Sequence, residues 1–350
     1  MDDDVFTAAI HADDELAELP DVAPALRPAT TFERHEGGRI YRRDGDETTA
    51  RLEAVIGAME HGHSVVYPSG MAAVAAVLHQ IRPRRIALPE DVYYGVREHV
   101  ETEARRGTWQ TVRRDELDAG DVDWIETPSN PKCLITDLAA AATAARRRRI
   151  VTVVDGTFAT PVLQQPLDHG IDFSLHATTK YIGGHSDAMG GVVSVENDDI
   201  AAALRAARSR GGAVPGTLET WLTLRGIRTL PLRVGRQSAS AARIAAALAE
   251  LVAPVWYPGL TTHPAHDVAT RQMRGYGGVL SFELASAEEA AAAVERLRIF
   301  TNATSLGGVE SLAEHRLQSD PDAPPGLIRL SIGLEDPDAL LNDLVAACGL

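Results

Sequence analysis

Lysine occurs only twice in this chain, at Lys132 and Lys180, and arginine carries nearly all of the remaining cationic charge. Lys180 sits in the run Asp172–Asp187, where an alternating strand pattern passes into two threonines, the lysine and the glycine pair Gly183-Gly184. A buried or crowded amine can lose its proton and form a Schiff base, which a guanidinium cannot. Upstream, the apolar run Ile150–Val154 delivers Asp155, so a carboxylate and an amine follow successive predicted strands. A third feature is Ser69-Gly70-Met71, which closes an extended run and opens a helix of small residues. The free N–H groups at such a helix start form a natural phosphate site.

Those three features together suit a phosphorylated pyridine aldehyde. Asp155 would keep a pyridine nitrogen protonated, making the ring an electron sink, and Lys180 would hold the aldehyde as an imine and move protons. Gly70, Met71 and Thr179 would bind the phosphate, and Tyr93 could stack on the ring. Gly183-Gly184 does not make a dinucleotide fingerprint, which needs its glycines between a strand and a helix with a later acid. His176 and His185 read as structural or supporting residues, and nothing near them has zinc-ligand spacing.

Positioning these residues requires strands that end together. From residue 85 the pattern alternates strand and helix: Ile86–Leu88, a helix to about Arg106, Val122–Glu126, an alanine-rich helix closing on Arg146–Arg149, then Ile150–Val154. This predicts an α/β fold with a mostly parallel, doubly wound sheet and ligands at the strand ends. Arg146–Arg149 reads as the cationic end of a helix rather than a binding patch. Past Gly191 the character changes to alanine-rich helices and half-exposed antiparallel strands, Gly278–Leu284 and Ile328–Ile332, which predicts a smaller α+β domain. The expected division is an N-terminal arm over 1–40, a large domain over 41–229 and a small domain over 230–350. The first 35 residues, punctuated by Pro20, Pro24 and Pro28, read either as an arm across another surface or as a disordered leader.

At 350 residues the chain can hold one large core or two domains. Its net charge of −15 argues against nucleic acid and anionic membranes as partners. Cys133 and Cys348 form neither a disulfide framework nor a metal pattern, so a cytoplasmic location and no metal are expected. No segment approaches the roughly 20 apolar residues of a spanning helix.

Eight ordered motifs then specify more than composition can. They are Tyr41-x-Arg43-x-Gly45, Ser69-Gly70-Met71, Asp91-Val92-Tyr93, Glu126–Pro131, Val154-Asp155-x-Thr157-Phe158, Thr179–Asp187, Ser305–Ser311 and Arg329-Leu330-Ser331. With these motifs the chain, from about Tyr41 to Asp343, resembles the Cys/Met-metabolism family of pyridoxal-phosphate enzymes, of fold type I. The resemblance implies a cystathionine γ-lyase type of activity, with γ-synthase-type replacement or a non-sulfur leaving group as the alternative. It implies pyridoxal 5′-phosphate as cofactor and an amino acid as substrate. Lys180 would carry the cofactor and, with Tyr93, move protons. Asp155 would pair with the pyridine nitrogen, Gly70, Met71, Thr157 and Thr179 would help hold the cofactor, and Tyr41 and Arg43 would reach in from a neighbouring subunit. Asn130, which also borders the cofactor, Ser305 and Arg329 would hold the substrate α-carboxylate, and Ile40 and Thr304 would line its far end. Shared sites imply a homodimer, and the family is usually a homotetramer.

The chain departs from the family pattern at several positions. Ala177 stands in place of a phosphate-binding serine, leaving that contact to Thr178 or solvent, and Gly156 replaces the usual asparagine. Ile40 and Thr304 stand where acids are common, so the far end of the substrate is expected to be neutral or small. The segment between His315 and Gly326 is shorter than usual.

Overall fold

The computed structural model describes residues 3–34 and 38–350. The chain forms two compact units, one of residues up to Glu126 together with Leu138–Pro231, the other of Thr127–Asp137 together with Leu232–Leu350. The excursion Thr127–Asp137 belongs with the C-terminal residues, which a linear boundary at residue 230 does not provide for.

The first unit is built on seven strands: β1 His63–Tyr67, β2 Arg85–Ala87, β3 Gln110–Thr111, β4 Val122–Glu126, β5 Val151–Asp155, β6 Phe173–His176 and β7 Gly191–Val195. Their order is β1-β7-β6-β5-β4-β2-β3. β3, β2, β4, β5 and β6 run parallel, and β7 is antiparallel to both of its neighbours. Apolar residues such as Val65, Trp124, Val153, Leu175 and Val193 are all but sealed from solvent. The almost unbroken burial of β4 and β5 follows from a sheet covered on both faces by helices.

Two helix starts bear on the site. Helix Gly70–Ile81 begins after Ser69, whose Oγ accepts from the Ala72 N–H at 3.1 Å. Helix Tyr94–Arg105 begins after Tyr93. At the N-terminus, residues Asp3–His11 form a helix and Asp13 is fully buried, accepting from Arg51 Nε at 2.6 Å and from both Arg228 terminal nitrogens at 2.7 Å. This stretch is anchored to the rest of the first unit. The reason is long-range charge pairing, which local periodicity does not reveal. Among the described residues no helix is long and apolar enough to cross a membrane.

The second unit holds a five-stranded sheet of β8 Val255–Trp256, β9 Val279–Glu283, β10 Thr301–Asn302, β11 Leu312–His315 and β12 Leu327–Ser331. The order is β10-β11-β12-β9-β8, and the central pairs β11/β12 and β12/β9 are antiparallel. Leu280, Phe282, Ile328 and Leu330 pack against Ile244, Leu248, Leu340 and Leu344 from flanking helices.

Candidate active site

Asp155 is the last residue of β5 and pairs in register with Leu175 of β6. The next turn begins with the Gly156 N–H donating to Leu175 O at 2.9 Å. Asp155 is 9% exposed, and its Oδ1 accepts from the Thr157 N–H at 3.0 Å and the Thr157 hydroxyl at 2.5 Å. The same hydroxyl accepts from the Ala177 N–H at 2.9 Å, tying the ends of β5 and β6 together. Among the described residues no donor is bonded to Oδ2. Burial pushes the Asp155 carboxyl above the ordinary carboxylate range, against the opposing bonds from Thr157 and the charges of His176 and Lys180. A buried carboxylate with one oxygen left for a donor, and with a charge still to be balanced, fits the protonated nitrogen of a pyridine ring.

Lys180 follows β6 within a tight turn, half-buried, its N–H donating to Ala177 O at 3.1 Å and its carbonyl accepting from the Gly184 N–H at 2.8 Å. The turn is closed by Gly183 N–H donating to Thr178 O at 2.8 Å and by a 2.9 Å bond between His185 Nδ1 and Gly183 O. His185 is thus a loop brace.

The helix start at Gly70 lies against this turn. A Cβ on Gly70 would sit 3.1 Å from the Ala177 methyl, so the two positions must both stay small. Gly191, which opens β7, lies behind them. A Cβ there would fall 2.4 Å from Ser69 O and 2.8 Å from Gly70 Cα. Among the described residues the amides of Gly70 and Met71, the first two of the helix, have no bonded acceptor, while Ala72 and Ala73 N–H are satisfied by Ser69. These two amides suit a phosphate. Gly191→Ala is therefore expected to displace the helix start, costing about 1–3 kcal/mol by overpacking and weakening cofactor binding. Thermal melting of the apo-protein and a cofactor titration would check both effects.

Two sequence expectations meet a different arrangement here. The Thr179 hydroxyl donates to Gly190 O at 3.1 Å and accepts from Gly190 N–H at 3.0 Å, so it braces the loop. Thr178, expected to replace the serine missing at 177, is 2% exposed with its hydroxyl packed against Gly190.

Tyr93 is half-buried, its N–H held by Glu126 Oε2 at 2.8 Å and its ring centroid 4.7 Å from that of Tyr94. A Cβ on Gly95 would meet both the Tyr93 ring and Met71 Sδ, so Met71 and Tyr93 flank one spot. Burial, followed by Tyr94 and the charges of Asp155 and Glu126, raises the Tyr93 phenol to about 12. Tyr93 therefore carries its proton at neutral pH.

Tyr41 and Arg43 are not brought to this cluster. They lie at the surface, the Arg43 guanidinium 5.2 Å from the Tyr41 ring centroid. Ile40 is 53% exposed beside them, and Thr304 is exposed at a bend of the second unit.

Asn130, Ser305 and Arg329 do gather, within the second unit. Arg329 is 4% exposed on β12, with Nη1 donating to Asn130 Oδ1 at 2.9 Å and Nη2 to Ser305 O at 2.9 Å and Glu314 Oε2 at 2.6 Å. Arg316 Nη1 reaches the same Glu314 oxygen at 3.0 Å, and the Ser319 hydroxyl donates to Oε1 at 2.6 Å. Ser305 has φ of 95°, a conformation rarely adopted by a residue with a side chain. It presents its carbonyl to Arg329. Burial would raise the Glu314 carboxyl, but Arg329, Ser319 and Arg316 hold it below its usual value. Two guanidiniums against one carboxylate leave this trio with a net charge of +1, which suits an incoming carboxylate. Sequence reading missed Glu314 and Arg316. Their signal was an acid near the end of a short strand and an arginine just past it, both buried.

Residues 7–348 match the family described as Cys/Met metabolism PLP-dependent enzyme. The chain belongs to this family. The chain is similar to a Mycobacterium tuberculosis cystathionine gamma-synthase, 41% identical over 89% of this chain and 87% of that protein. A Coxiella burnetii cystathionine beta-lyase is 36% identical, covering 98% of this chain and 97% of its own. The crystal structure of a cystathione gamma lyase from Micromonospora echinospora superimposes with a TM-score of 0.92 at 36% identity, covering 99% of each chain. As a Cys/Met-metabolism enzyme of fold type I, the chain uses pyridoxal phosphate and acts on an amino acid by elimination or replacement chemistry.

For this family member, the raised Asp155 carboxyl has a consequence for the cofactor-free protein. A carboxyl bound more tightly to its proton when folded costs stability once ionised. That cost is absent at pH below the unfolded value and grows as pH rises through the folded one. Apo Asp155→Asn should therefore melt at or above the apo wild type at neutral pH, by a few degrees per roughly 1–2 kcal/mol, with the gap closing near about pH 4. The order should reverse in the holoenzymes, where the carboxylate has its cationic partner.

Proposed function

We propose that this chain is a pyridoxal-phosphate-dependent lyase that eliminates the γ-substituent of an L-amino acid, of cystathionine γ-lyase type, giving 2-oxobutanoate, ammonia and a thiol. The observation that carries the reading is that the buried Asp155, held on one oxygen by Thr157, and Lys180, the amine in the turn after β6, follow neighbouring parallel strands. When bound, pyridoxal phosphate supplies an electron-accepting ring for the charge left when the substrate loses a proton. The rest is done by side chains. Lys180 Nζ anchors the cofactor, yields its place to the substrate amino group, and is then free to take the Cα proton. Asp155 keeps the pyridine nitrogen protonated, and the Gly70 and Met71 amides hold the phosphate.

Arg329, with Asn130 and the Ser305 carbonyl fixing its plane, holds the substrate α-carboxylate. Tyr93, neutral by burial, acts as a hydroxyl donor beside Met71. After the α-proton, a β-proton must leave before the γ-substituent departs, and elimination asks nothing further than this mobile amine and water. Ile40 and Thr304 offer no charge to a distal ammonium, so smaller γ-substituted amino acids such as homocysteine fall within the proposed range. Tyr41 and Arg43, placed away from the cluster of their own chain, are proposed to complete a second copy's site in a homodimer.

The 41% identity to a cystathionine gamma-synthase supports a second reading, replacement of the γ-substituent by a thiol. The test is ammonia release from an O-acyl-L-homoserine, with and without added cysteine. One ammonia per turnover, insensitive to cysteine, is expected of the lyase. Suppression of ammonia by cysteine, with cystathionine appearing instead, would establish the replacement reading.

A further inference from the structure

Behind Asp155 lies a second buried charged pair that the chemistry above leaves unused. Glu60 ends the helix Glu47–Glu60 and is 0% exposed, and His176 ends β6 and is 1% exposed. His176 Nε2 lies 2.6 Å from Glu60 Oε1 and 3.3 Å from the Ser174 hydroxyl. Among the described residues, neither the second Glu60 oxygen nor His176 Nδ1, both buried, has a hydrogen-bond partner. Enclosing an ion pair and leaving one of its oxygens unbonded costs stability that an apolar pair of the same volume would not. An uncompensated cost of this kind asks for a use.

The placement supplies one. A Cβ on Gly156 would fall 2.9 Å from His176 Cε1, so the imidazole lies directly on the backbone of the residue after Asp155. Gly156 is therefore the position that makes room for the ring. We propose that Glu60 and His176 are positioning residues: Glu60 holds the His176 ring as an imidazolium beneath the Asp155–Gly156 backbone, and that fixed positive charge keeps Asp155 ionised toward the pyridine nitrogen of the cofactor.

The charges that face His176 are Glu60 from the helix Glu47–Glu60 and Asp155 from β5, with Ser174 as its polar neighbour on β6. Burial would push the imidazole down, but Glu60, by charge and hydrogen bond, and then Asp155 outweigh burial and hold it above its ordinary value. His176 in turn acts with Lys180 to oppose the rise of Asp155. Since Lys180 gives up its role as a nearby cation whenever its amine is neutral, His176 is the cation that stays in place.

This inference rests on Asp155 facing the pyridine nitrogen, and the test separates the two. Holoenzyme is loaded with cofactor carrying 15N in its pyridine ring, and the nitrogen resonance is followed from pH 6 to 9 in wild type, Glu60→Gln, His176→Gln and Asp155→Asn. The expected result is a protonated-type resonance throughout in wild type, and displacement toward the neutral-type position in all three variants, partial for Glu60→Gln. Displacement in Asp155→Asn alone would overturn the Glu60–His176 proposal and leave the Asp155 role standing. No displacement in Asp155→Asn would overturn both. If the buried variants do not fold, the wild-type imidazole 15N signals decide the matter. A His176 ring doubly protonated at pH 8 is required, and a neutral ring there would sink the idea.

Discussion

Lys180→Ala should lose the visible absorption of the lysine-bound cofactor and at least about 10³-fold of kcat/KM, the combined loss of a covalent anchor and a general base. Both jobs fall on one nitrogen, because the chain's other lysine, Lys132, lies in the second unit with its amine 5.1 Å from the Trp256 ring. Lys180→Arg should be nearly as inactive as the alanine variant. It preserves the positive charge near Asp155, but a guanidinium does not give up its proton and cannot form the imine. A primary amine such as methylamine, added to Lys180→Ala, should restore a measurable part of the proton transfer with a pH dependence set by the added amine. Retained colour and turnover in Lys180→Ala would place the chemistry on another residue.

The second large effect is expected at Arg329. Lysine at this position keeps the charge but not the planar fork that spans Asn130, Ser305 and Glu314. Loss of a charged bidentate contact worth about 1.5–3 kcal/mol should raise KM by roughly 10–10²-fold. kcat should change less, since the carboxylate is held alike in ground and transition states. Arg329→Ala carries a further cost, because Glu314 is then left buried with Arg316 as its remaining guanidinium. Breaking such a pair typically costs about 3–5 kcal/mol. Glu314 has a lowered carboxyl pKa in the fold, so its stabilising effect is present above the unfolded value and is lost as pH falls through the folded one. The Arg329→Ala deficit in melting temperature should accordingly shrink as pH falls below about 4, where the unfolded carboxyl also takes its proton. Steady-state kinetics on the lysine variant and melting curves on the alanine variant separate the binding role from the structural one.

The residues nearest the proposed chemistry were legible in the sequence because each one marks the end of a strand or the start of a helix. Asp155 closes a β-branched run, Gly70 follows an N-cap serine, and Lys180 stands just beyond an alternating segment. Local pattern is enough for such positions. Their supports were not legible, since they depend on pairs distant in sequence. The small and β-branched residues of β7 give no sign of its antiparallel pairing with β1, more than 100 residues away in the chain. Glu60 meets His176 across 116 residues, and Asp13 meets Arg228 across 215. Neither carboxylate differs locally from a solvated one. The excursion Thr127–Asp137 likewise joins the second unit through contacts such as Ser281 Oγ to Pro131 O at 2.8 Å, which no composition shift announces. Thr179 shows the converse. Its place in a motif suggested a phosphate ligand, whereas its hydroxyl is engaged at Gly190.

The most direct measurement is identification by mass spectrometry of the products formed when purified holoenzyme is incubated with L-cystathionine. Cleavage at the γ-carbon takes up one water and gives L-cysteine, 2-oxobutanoate and ammonia, and this is the expected result. Pyruvate with homocysteine would contradict it by showing β-cleavage, and an intact substrate beside a coloured, correctly folded holoenzyme would remove cystathionine from the range of this enzyme.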